Sequence, residues 1–260
     1  ETGERGMEEG EKLRRLREKA SSDGLRIPDK HLLKFLRWKS EGDRAYERLS
    51  DFVKWRKGCG WMDSPDPLLL SRSEVIRKVV MSGVLACPTN VRGKHGEKLI
   101  FGRFRFNDLS SWSPQDLCRA IVYLVETALI SEETQDNGVL VLHDLSGIGQ
   151  NNISIQVPKL LLPILLGKYP VKVKGIYIYN APWWFQGPLQ VVKLLMPSKI
   201  RSRLHTISNL SEVHEAIDPA ALLVEHGGTT DYKPEEWVKS QMDFEAGGGD
   251  DDYMVRCLQT

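Results

Sequence analysis

Residues 169–209 read YPVKVKGIYIYNAPWWFQGPLQVVKLLMPSKIRSRLHTISN, and this stretch decides the fold of the chain. Within it, residues 176–179 are a run of β-branched and aromatic side chains that follows Gly175. Residues 180–182, Asn-Ala-Pro, close that run with turn-forming residues. A short apolar run bounded by turn chemistry is typical of a buried strand, so the sequence predicts a strand that ends at Tyr179.

The segment after this turn is apolar, and Lys193 is its one charge between Trp183 and Met196. A helix of this composition is buried or covers something apolar. Three cations then alternate with other residues in 199–204, and in an extended segment that spacing places all three on one face. An ordinary core helix flanked by solvated lysines is the alternative that composition alone favours.

Composition limits the classes of protein to which the chain can belong. It has 260 residues, of which 41% are hydrophobic, and a net charge of +1. A sizeable core is therefore expected, and bulk binding to nucleic acid is not. The cysteines Cys59, Cys87, Cys118 and Cys257 form no C-x-x-C pair, which favours free thiols in a reducing compartment. The sequence contains no apolar run long enough to span a membrane and no signal-peptide pattern, so a cytoplasmic protein is expected.

Alternating helical and strand patterns predict an α/β fold with a central, mostly parallel sheet behind an N-terminal helical lobe. We predict a charged extension over residues 1–27 and the helical lobe over 28–60. The α/β domain is predicted over 61–230, with a Pro/Gly-rich linker in residues 58–74 at the boundary. A C-terminal extension follows over 231–260, and its acidic run, residues 246–252, is predicted to be disordered.

Neither catalysis nor metal binding has a sequence basis. His143 and Asp144 end a predicted strand, but the chain has no G-x-S-x-G elbow, no Walker loop and no G-x-G-x-x-G. Asp144 is therefore interpreted as a turn residue that caps the following backbone, and an enzyme that uses this pair is the less favoured alternative. His205 and His214 are too isolated in sequence to predict a metal site.

Several segments together resemble one known family. YPVKVKGIYIYNAP, SKIRSRLH and the earlier LLKFLRWKSEGDRAYERLSDFVKWRK resemble the CRAL-TRIO lipid-binding family, especially its alpha-tocopherol-transfer and retinaldehyde-binding branch. Asp144 and Gly147 match the D-x-x-G of that family at a strand end. The resemblance covers residues 30–230 and implies a hydrophobic ligand cavity closed by a gate helix at 183–196. It implies a bound lipid ligand and no other cofactor.

The resemblance also implies which residues line the cavity. The expected cavity residues are Phe101, Leu140, Leu142, Leu161, Leu165, Ile176, Ile178, Phe185, Leu189, Val192, Leu195 and Met196. Tyr177 and Tyr179 are expected to offer hydroxyl groups to a polar headgroup. The alternative is that all these side chains simply pack on one another.

The same resemblance assigns a phosphoinositide-binding surface. Its expected residues are Lys39, Lys172, Lys174, Lys199, Arg201 and Arg203. The expected partners are a small hydrophobic ligand or phospholipid and anionic phosphoinositide membranes, with peripheral membrane association, no nucleic acid and a monomeric state. Val171 stands where the yeast phosphatidylinositol-transfer branch has an acidic residue, which argues against that inositol-headgroup pocket.

A second function stays open from the sequence. Domains of this family are also fused into larger signalling proteins, so the chain is alternatively a membrane-targeting module of a phosphatase or a GTPase-activating protein. The length of the full gene product distinguishes this module from a self-contained transfer protein.

Overall fold

The structure is a computed structural model that describes residues 2–59 and 68–254. Its centre is a five-stranded sheet in the order β1-β2-β3-β4-β5, in which β1 is antiparallel to β2 and the other neighbours are parallel. The strands are β1 Leu85–Ala86, β2 Lys98–Arg103, β3 Val139–Asp144, β4 Val173–Tyr179 and β5 Leu204–Ile207. The predicted α/β class with a mostly parallel sheet is confirmed.

Ten α-helices are present among the described residues. They are α1 Thr2–Ser22, α2 Asp29–Trp38, α3 Gly42–Gly58, α4 Glu74–Met81, α5 Pro114–Ala128, α6 Glu132–Asn137, α7 Gln156–Leu165, α8 Gln186–Leu195, α9 Ser198–Arg201 and α10 Pro234–Ala246. The sequence dictates the start of α5 through a capping box. The Ser113 hydroxyl accepts the Asp116 amide, and the Asp116 carboxylate accepts the Ser113 amide.

The two faces of the sheet are covered by different material. The parallel strands follow one another in chain order, and right-handed crossovers in one direction place their connecting helices on a single face. On that face, Ile176 belongs to the large core cluster that includes side chains of α5 and α7. On the opposite face, Phe101 and Leu142 cluster with Val213 and Leu222 from the segment after β5. The helical face is therefore the one on which the candidate site is built.

Aromatic side chains attach the N-terminal helical lobe, made of α1, α2 and α3, to the α/β domain. The Phe35 and Phe52 rings lie 5.7 Å apart, and Phe52 meets Tyr169 edge-on at 5.3 Å. The Tyr169 hydroxyl donates to the Glu126 carboxylate on α5 at 2.8 Å. The charged N-terminal segment also packs into this lobe, because Leu16 on α1 is buried.

The C-terminal segment differs from the sequence prediction. The acidic run ends in a 3₁₀ turn at Gly249–Asp252, and the next two residues, Tyr253 and Met254, are buried. The Met254 amide donates to Glu126 at 2.8 Å. The prediction of disorder was therefore wrong for the described part of the run, because apolar anchors follow the acids. The predicted linker falls partly on residues 60–67, and the chain end on residues 255–260, both outside the described residues.

We predict that Glu245 on α10 is a main anchor of this segment. Its buried carboxylate accepts hydrogen bonds from the Leu70 amide at 3.0 Å, the Ser71 amide at 2.8 Å and the Tyr123 hydroxyl at 2.8 Å. Glu245→Ala removes the shared acceptor and leaves the buried Leu70 amide unpaired, so it should lower the free energy of unfolding by about 2–4 kcal/mol in a urea titration. Glu235→Ala, at an exposed position on the same helix, should change it by less than about 0.5 kcal/mol. Equal effects of the two substitutions would contradict the prediction.

Candidate functional site

An apolar cavity of about 170 Å³ lies on the helical face of the sheet, between β3 and β4 and the helices α5, α7 and α8. Its described lining contains no charged side chain, and most of its wall is aliphatic or aromatic. Helix α8 and the 3₁₀ turn Trp183–Phe185 that precedes it form one side of the wall. The predicted gate segment therefore forms part of the cavity wall.

Many of the predicted cavity residues line this space. Those that do are Leu161, Ile176, Ile178, Phe185, Leu189, Val192 and Met196. They come from α7, from β4 and from the gate segment, so the structure brings together residues that the sequence separates widely. Leu165 packs into the core and Leu195 is half-buried, and neither of them reaches the cavity.

Three predicted cavity residues lie on the wrong face of the sheet. Phe101, Leu140 and Leu142 are buried in the cluster on the opposite face. Leu142 pairs with Phe101 on one side and with Tyr177 on the other, and paired neighbours project to the same face. Tyr177 and Tyr179 therefore also point away from the cavity, and their predicted role with a headgroup is corrected.

The alternation of side chains identifies the residues of β3 that the sequence analysis missed. Val141 pairs with Ile176 and His143 pairs with Ile178, so these two positions of β3 share the cavity face. Of the pair, His143 lines the cavity. Burial lowers the pKa of its imidazole to about 4, so the ring is neutral at neutral pH. Counting alternate positions from Ile176 across the pair would have found it.

The gate segment has an apolar side toward the cavity and another toward solvent. Phe185 and Leu189 are buried in the cavity wall. On the outer side, Trp183 is 86% exposed and Leu194 is 76% exposed. The segment is thus a single layer that separates the cavity from solvent.

The predicted cations at 199–203 lie in and directly after a helical turn, not in an extended segment. Residues 198–201 form α9, because Pro197 starts the turn and the Arg201 amide returns to the Pro197 carbonyl at 2.9 Å. The predicted three-cation face of a strand was therefore wrong. The Arg201 guanidinium donates to the Met196 carbonyl at 3.1 Å, and Arg203 donates to the Val173 carbonyl. Arg201 is thereby tied to the end of α8.

Lys39 joins these cations from the helical lobe. The pKa of Lys39 is lowered by burial and then by the positive charges of Arg48, Lys199 and Arg44. The lobe and α9 therefore form one positive surface, and sequence reasoning missed its members Arg44 and Arg48. No pattern in the sequence predicts that Arg44 and Arg48 of α3 and Lys199 of α9 all lie near Lys39.

The other two predicted cations lie at the start of β4, with Lys174 in the strand and Lys172 just before it. Lys174 is exposed, whereas Lys172 donates to the Asp136 carbonyl at the end of α6 at 3.0 Å. Within residues 2–59 and 68–254, no carboxylate lies within 4.0 Å of the charged groups of a set of five cations. That set is Lys39, Lys174, Lys199, Arg201 and Arg203. An anion can approach these cations without displacing an acidic partner.

Asp144 belongs to an ion-pair cluster in which Asp144 and His226 are buried. Its carboxylate accepts the Ser146 amide at 2.8 Å, which confirms the predicted turn cap. It also accepts from Arg105 Nη1 at 2.7 Å and contacts His226 Nε2 at 3.2 Å. Asp144, His226 and Glu225 lie close enough to hold a cation, but Arg105 already bridges both carboxylates. The cluster is a structural clamp between β3 and the segment after β5.

Three comparisons relate the chain to known proteins. The CRAL/TRIO domain family matches residues 84–228. An alpha-tocopherol transfer protein-like protein of Homo sapiens is 30% identical over 211 residues, which are 78% of this chain and 59% of that protein. A tyrosine-protein phosphatase non-receptor type 9 of Mus musculus is 29% identical over 160 residues. That match covers 62% of this chain and 27% of the phosphatase.

A solved structure, the crystal structure of Sfh5, superimposes with a TM-score of 0.56 at 14% identity, over 85% of this chain and 81% of that one. This similarity concerns the fold. The chain thus spans less than two thirds of the transfer protein-like relative and about a quarter of the phosphatase. Among the described helices, none has both the length and the apolar composition needed to cross a bilayer.

We predict that Asp144 stabilises the fold in a pH-dependent way. Burial raises the pKa of Asp144, but hydrogen bonds from His226, Ser146 and Arg105 outweigh burial and hold it well below its usual range. A carboxyl group with a depressed pKa contributes stability above its unfolded pKa, about 3.9, and loses that contribution as pH falls toward the folded value.

Asp144→Asn should therefore lower the free energy of unfolding by about 2–4 kcal/mol at neutral pH. The difference from the unsubstituted protein should shrink at about pH 3. Urea titrations at the two pH values measure this effect. A difference that does not change with pH would refute the assignment.

Proposed function

Because the chain belongs to the CRAL/TRIO domain family, we propose that it holds a small hydrophobic ligand or phospholipid in the cavity and transfers it between membranes. We propose further that it docks reversibly on phosphoinositide membranes through the basic surface beside α8. The observation that carries the proposal is the apolar cavity, which is closed on one side by a single helical segment with apolar side chains toward both the cavity and the solvent.

The cavity supports lipid binding energetically. Burial of about 400 Å² of apolar ligand surface at about 25 cal/mol per Å² contributes about 10 kcal/mol before the entropic cost of binding. The described lining lacks a charged side chain that could pair with a phosphate. An uncharged lipid therefore fits the wall better than a phospholipid whose headgroup is enclosed.

The size of the cavity supports a mobile gate. Its volume of about 170 Å³ is below the range of about 300–1,000 Å³ that is common for ligand pockets. A lipid enters only if a wall moves outward, and α8 is the wall with solvent on its other side. Leu189 is the one residue of this helix that is buried, so few of its side chains hold it in place.

The basic surface supports docking on an anionic membrane. Each cation near an anionic leaflet contributes about 1 kcal/mol, so five cations contribute about 5 kcal/mol, or a factor of about 10³ to 10⁴ in partitioning. The set is Lys39, Lys174, Lys199, Arg201 and Arg203. The exposed Trp183 and Leu194 add apolar contacts of the kind that insert at the membrane interface. Binding of this strength is reversible, as transfer requires.

The gate segment and the basic surface are connected by one hydrogen bond. The Arg201 guanidinium donates to the carbonyl of Met196, the residue that ends α8. A lipid phosphate that binds Arg201 competes with this carbonyl, because both are acceptors for the same donor group. Docking would then loosen the end of the gate helix, which supports a link between membrane contact and ligand exchange.

A second candidate function is a membrane-targeting module of a larger signalling protein. The partial match to a phosphatase favours it, since the matched region is a minor part of that relative. A targeting module needs the basic surface but no exchangeable ligand. Lipid exchange therefore separates the two candidates.

We predict that filling the cavity abolishes lipid binding. Val192 lines the cavity, whereas its neighbour Val191 faces solvent. Val192→Trp should reduce the lipid bound per protein, and transfer between vesicles, at least about tenfold because the added ring occupies the cavity. Val191→Trp is the matched control and should leave the lipid bound unchanged. Thermal melts establish that both variants fold, and equal lipid binding by the two would refute the proposal.

A further prediction concerns the basic surface. Lys39→Ala and Lys199→Ala should each weaken partitioning onto phosphatidylinositol-bisphosphate vesicles about fivefold, and together about 25-fold, since each removes about 1 kcal/mol. Vesicle sedimentation at fixed ionic strength measures this effect. Lys239→Ala, at an exposed position on α10, is the control. Losses equal to that of the control would place docking elsewhere on the protein.

A further inference from the structure

The cavity wall contains few polar side chains, and the hydrogen bonds of two of them are already used. The Asn107 amide donates to the Asn152 carbonyl at 2.8 Å and accepts from the Trp112 indole at 2.9 Å. The Asn152 amide accepts from the Gly149 amide at 2.8 Å and donates to the Asn107 carbonyl at 2.8 Å. These two residues brace the loop at the cavity rim, so they have little capacity left for a ligand.

The other polar residues of the described lining are Ser154 and His143. Ser154 accepts the Gln156 amide at 3.2 Å and so caps the start of α7. Neither ring nitrogen of His143 has a hydrogen-bond partner among the described residues. Nδ1 is fully buried beside Gly102, which leaves Nε2 as the nitrogen that a ligand in the cavity can reach. His143 is therefore the wall residue whose hydrogen-bonding capacity a ligand can satisfy.

The backbone holds this imidazole in place. β3 aligns His143 with Gly102 of β2, and a Cβ atom at position 102 would lie 2.5 Å from His143 Nδ1. The ring occupies that space only because residue 102 is glycine. The centroid of the Phe104 ring lies 5.2 Å from that of the imidazole. The imidazole is thus a fixed polar group on a wall whose other side chains are mostly apolar.

The charge state of His143 limits the chemistry of its partner. Burial keeps the ring neutral at neutral pH, with one N–H donor and one nitrogen acceptor. A neutral ring gives no charge compensation to a carboxylate or a phosphate. A hydroxyl group both donates and accepts, so it pairs with the imidazole in either tautomer.

We propose that His143 determines specificity by hydrogen bonding to a hydroxyl group of an uncharged lipid in the cavity. This inference rests on the proposed lipid-binding function and adds to it the class of ligand and the residue that selects it. The apolar remainder of the wall then holds the hydrocarbon part without selecting it.

The test compares two ligands that differ only in this group, a long-chain alcohol and the hydrocarbon of the same chain length. Each displaces a fluorescent lipid probe from the protein, and affinities are corrected for partitioning into the assay phase. The unsubstituted protein should prefer the alcohol about fivefold or more. His143→Phe keeps a ring of similar shape and should lose this preference while it retains affinity for the hydrocarbon. His205→Phe removes an exposed imidazole on the opposite face of the sheet and should leave the preference intact.

An unchanged alcohol preference in His143→Phe would overturn the assignment, and hydrocarbon binding would still support the proposed function. Failure of the unsubstituted protein to bind either ligand would overturn both. A second measurement does not depend on the folding of a variant. The imidazole ¹⁵N resonances of His143 should shift when the alcohol is added and remain in place with the hydrocarbon. Identical responses to the two ligands would also overturn the assignment.

Discussion

The pairing of β3 with β4 is the constraint on which the rest of the structure depends. Side chains alternate between the faces of a sheet, so the register that places Val141 beside Ile176 also places Leu142 beside Tyr177. One set of alternate residues faces the helices and the cavity, and the other faces the segment after β5. A shift of one residue would move His143 out of the cavity and leucines into it. The chemistry of the cavity wall therefore follows from strand register.

The gate helix has to satisfy two opposed requirements. Toward the sheet, α8 and the turn before it need apolar side chains to complete the cavity, and Phe185 and Leu189 supply them. Toward solvent, Trp183 and Leu194 expose apolar surface that a helix covering an ordinary core would replace with polar residues. That exposure is unfavourable in water and becomes favourable at a membrane interface. Leu189 is the one buried residue of α8, so this helix is attached to the protein through fewer buried side chains than a core helix such as α5.

The sequence was sufficient to predict the helices and strands but not how they pack against one another. The runs ending at Tyr179 and Asp144 are strands, and the capping signal at Ser113 starts a helix, because these features depend on local chemistry. Phe101 and Leu142 were assigned to the wrong face because apolar strands buried on both faces carry no alternation that marks one side. The pairing of β3 with β4 shows which side chains face the cavity, and the sequence of a single strand does not contain that information.

Two other errors have different physical causes. The alternation of cations in 199–203 suggested an extended segment, but Pro197 begins a helical turn there, and an alternating pattern over so few residues does not exclude it. The acidic run at 246–252 was interpreted from its composition, although the two apolar residues after it are buried and fix it against α5. The approach of Arg48 to Lys39 is tertiary and leaves no local trace in the sequence.

The distribution of charge separates the two kinds of lipid contact that we propose. The basic surface on α9 and the helical lobe lies outside the gate, where water screens the charges and each contributes only a little. Inside the gate, the described wall carries no charge, and a hydrogen bond to a single unpartnered imidazole would have a large effect because its surroundings are apolar. In the function that we propose, membrane docking would thus depend on many weak, salt-sensitive contacts, whereas cargo selection would depend on one strong, local contact. Since the two contacts would involve different residues and different chemistry, a change in cargo preference would not require a change in the membrane that the protein contacts.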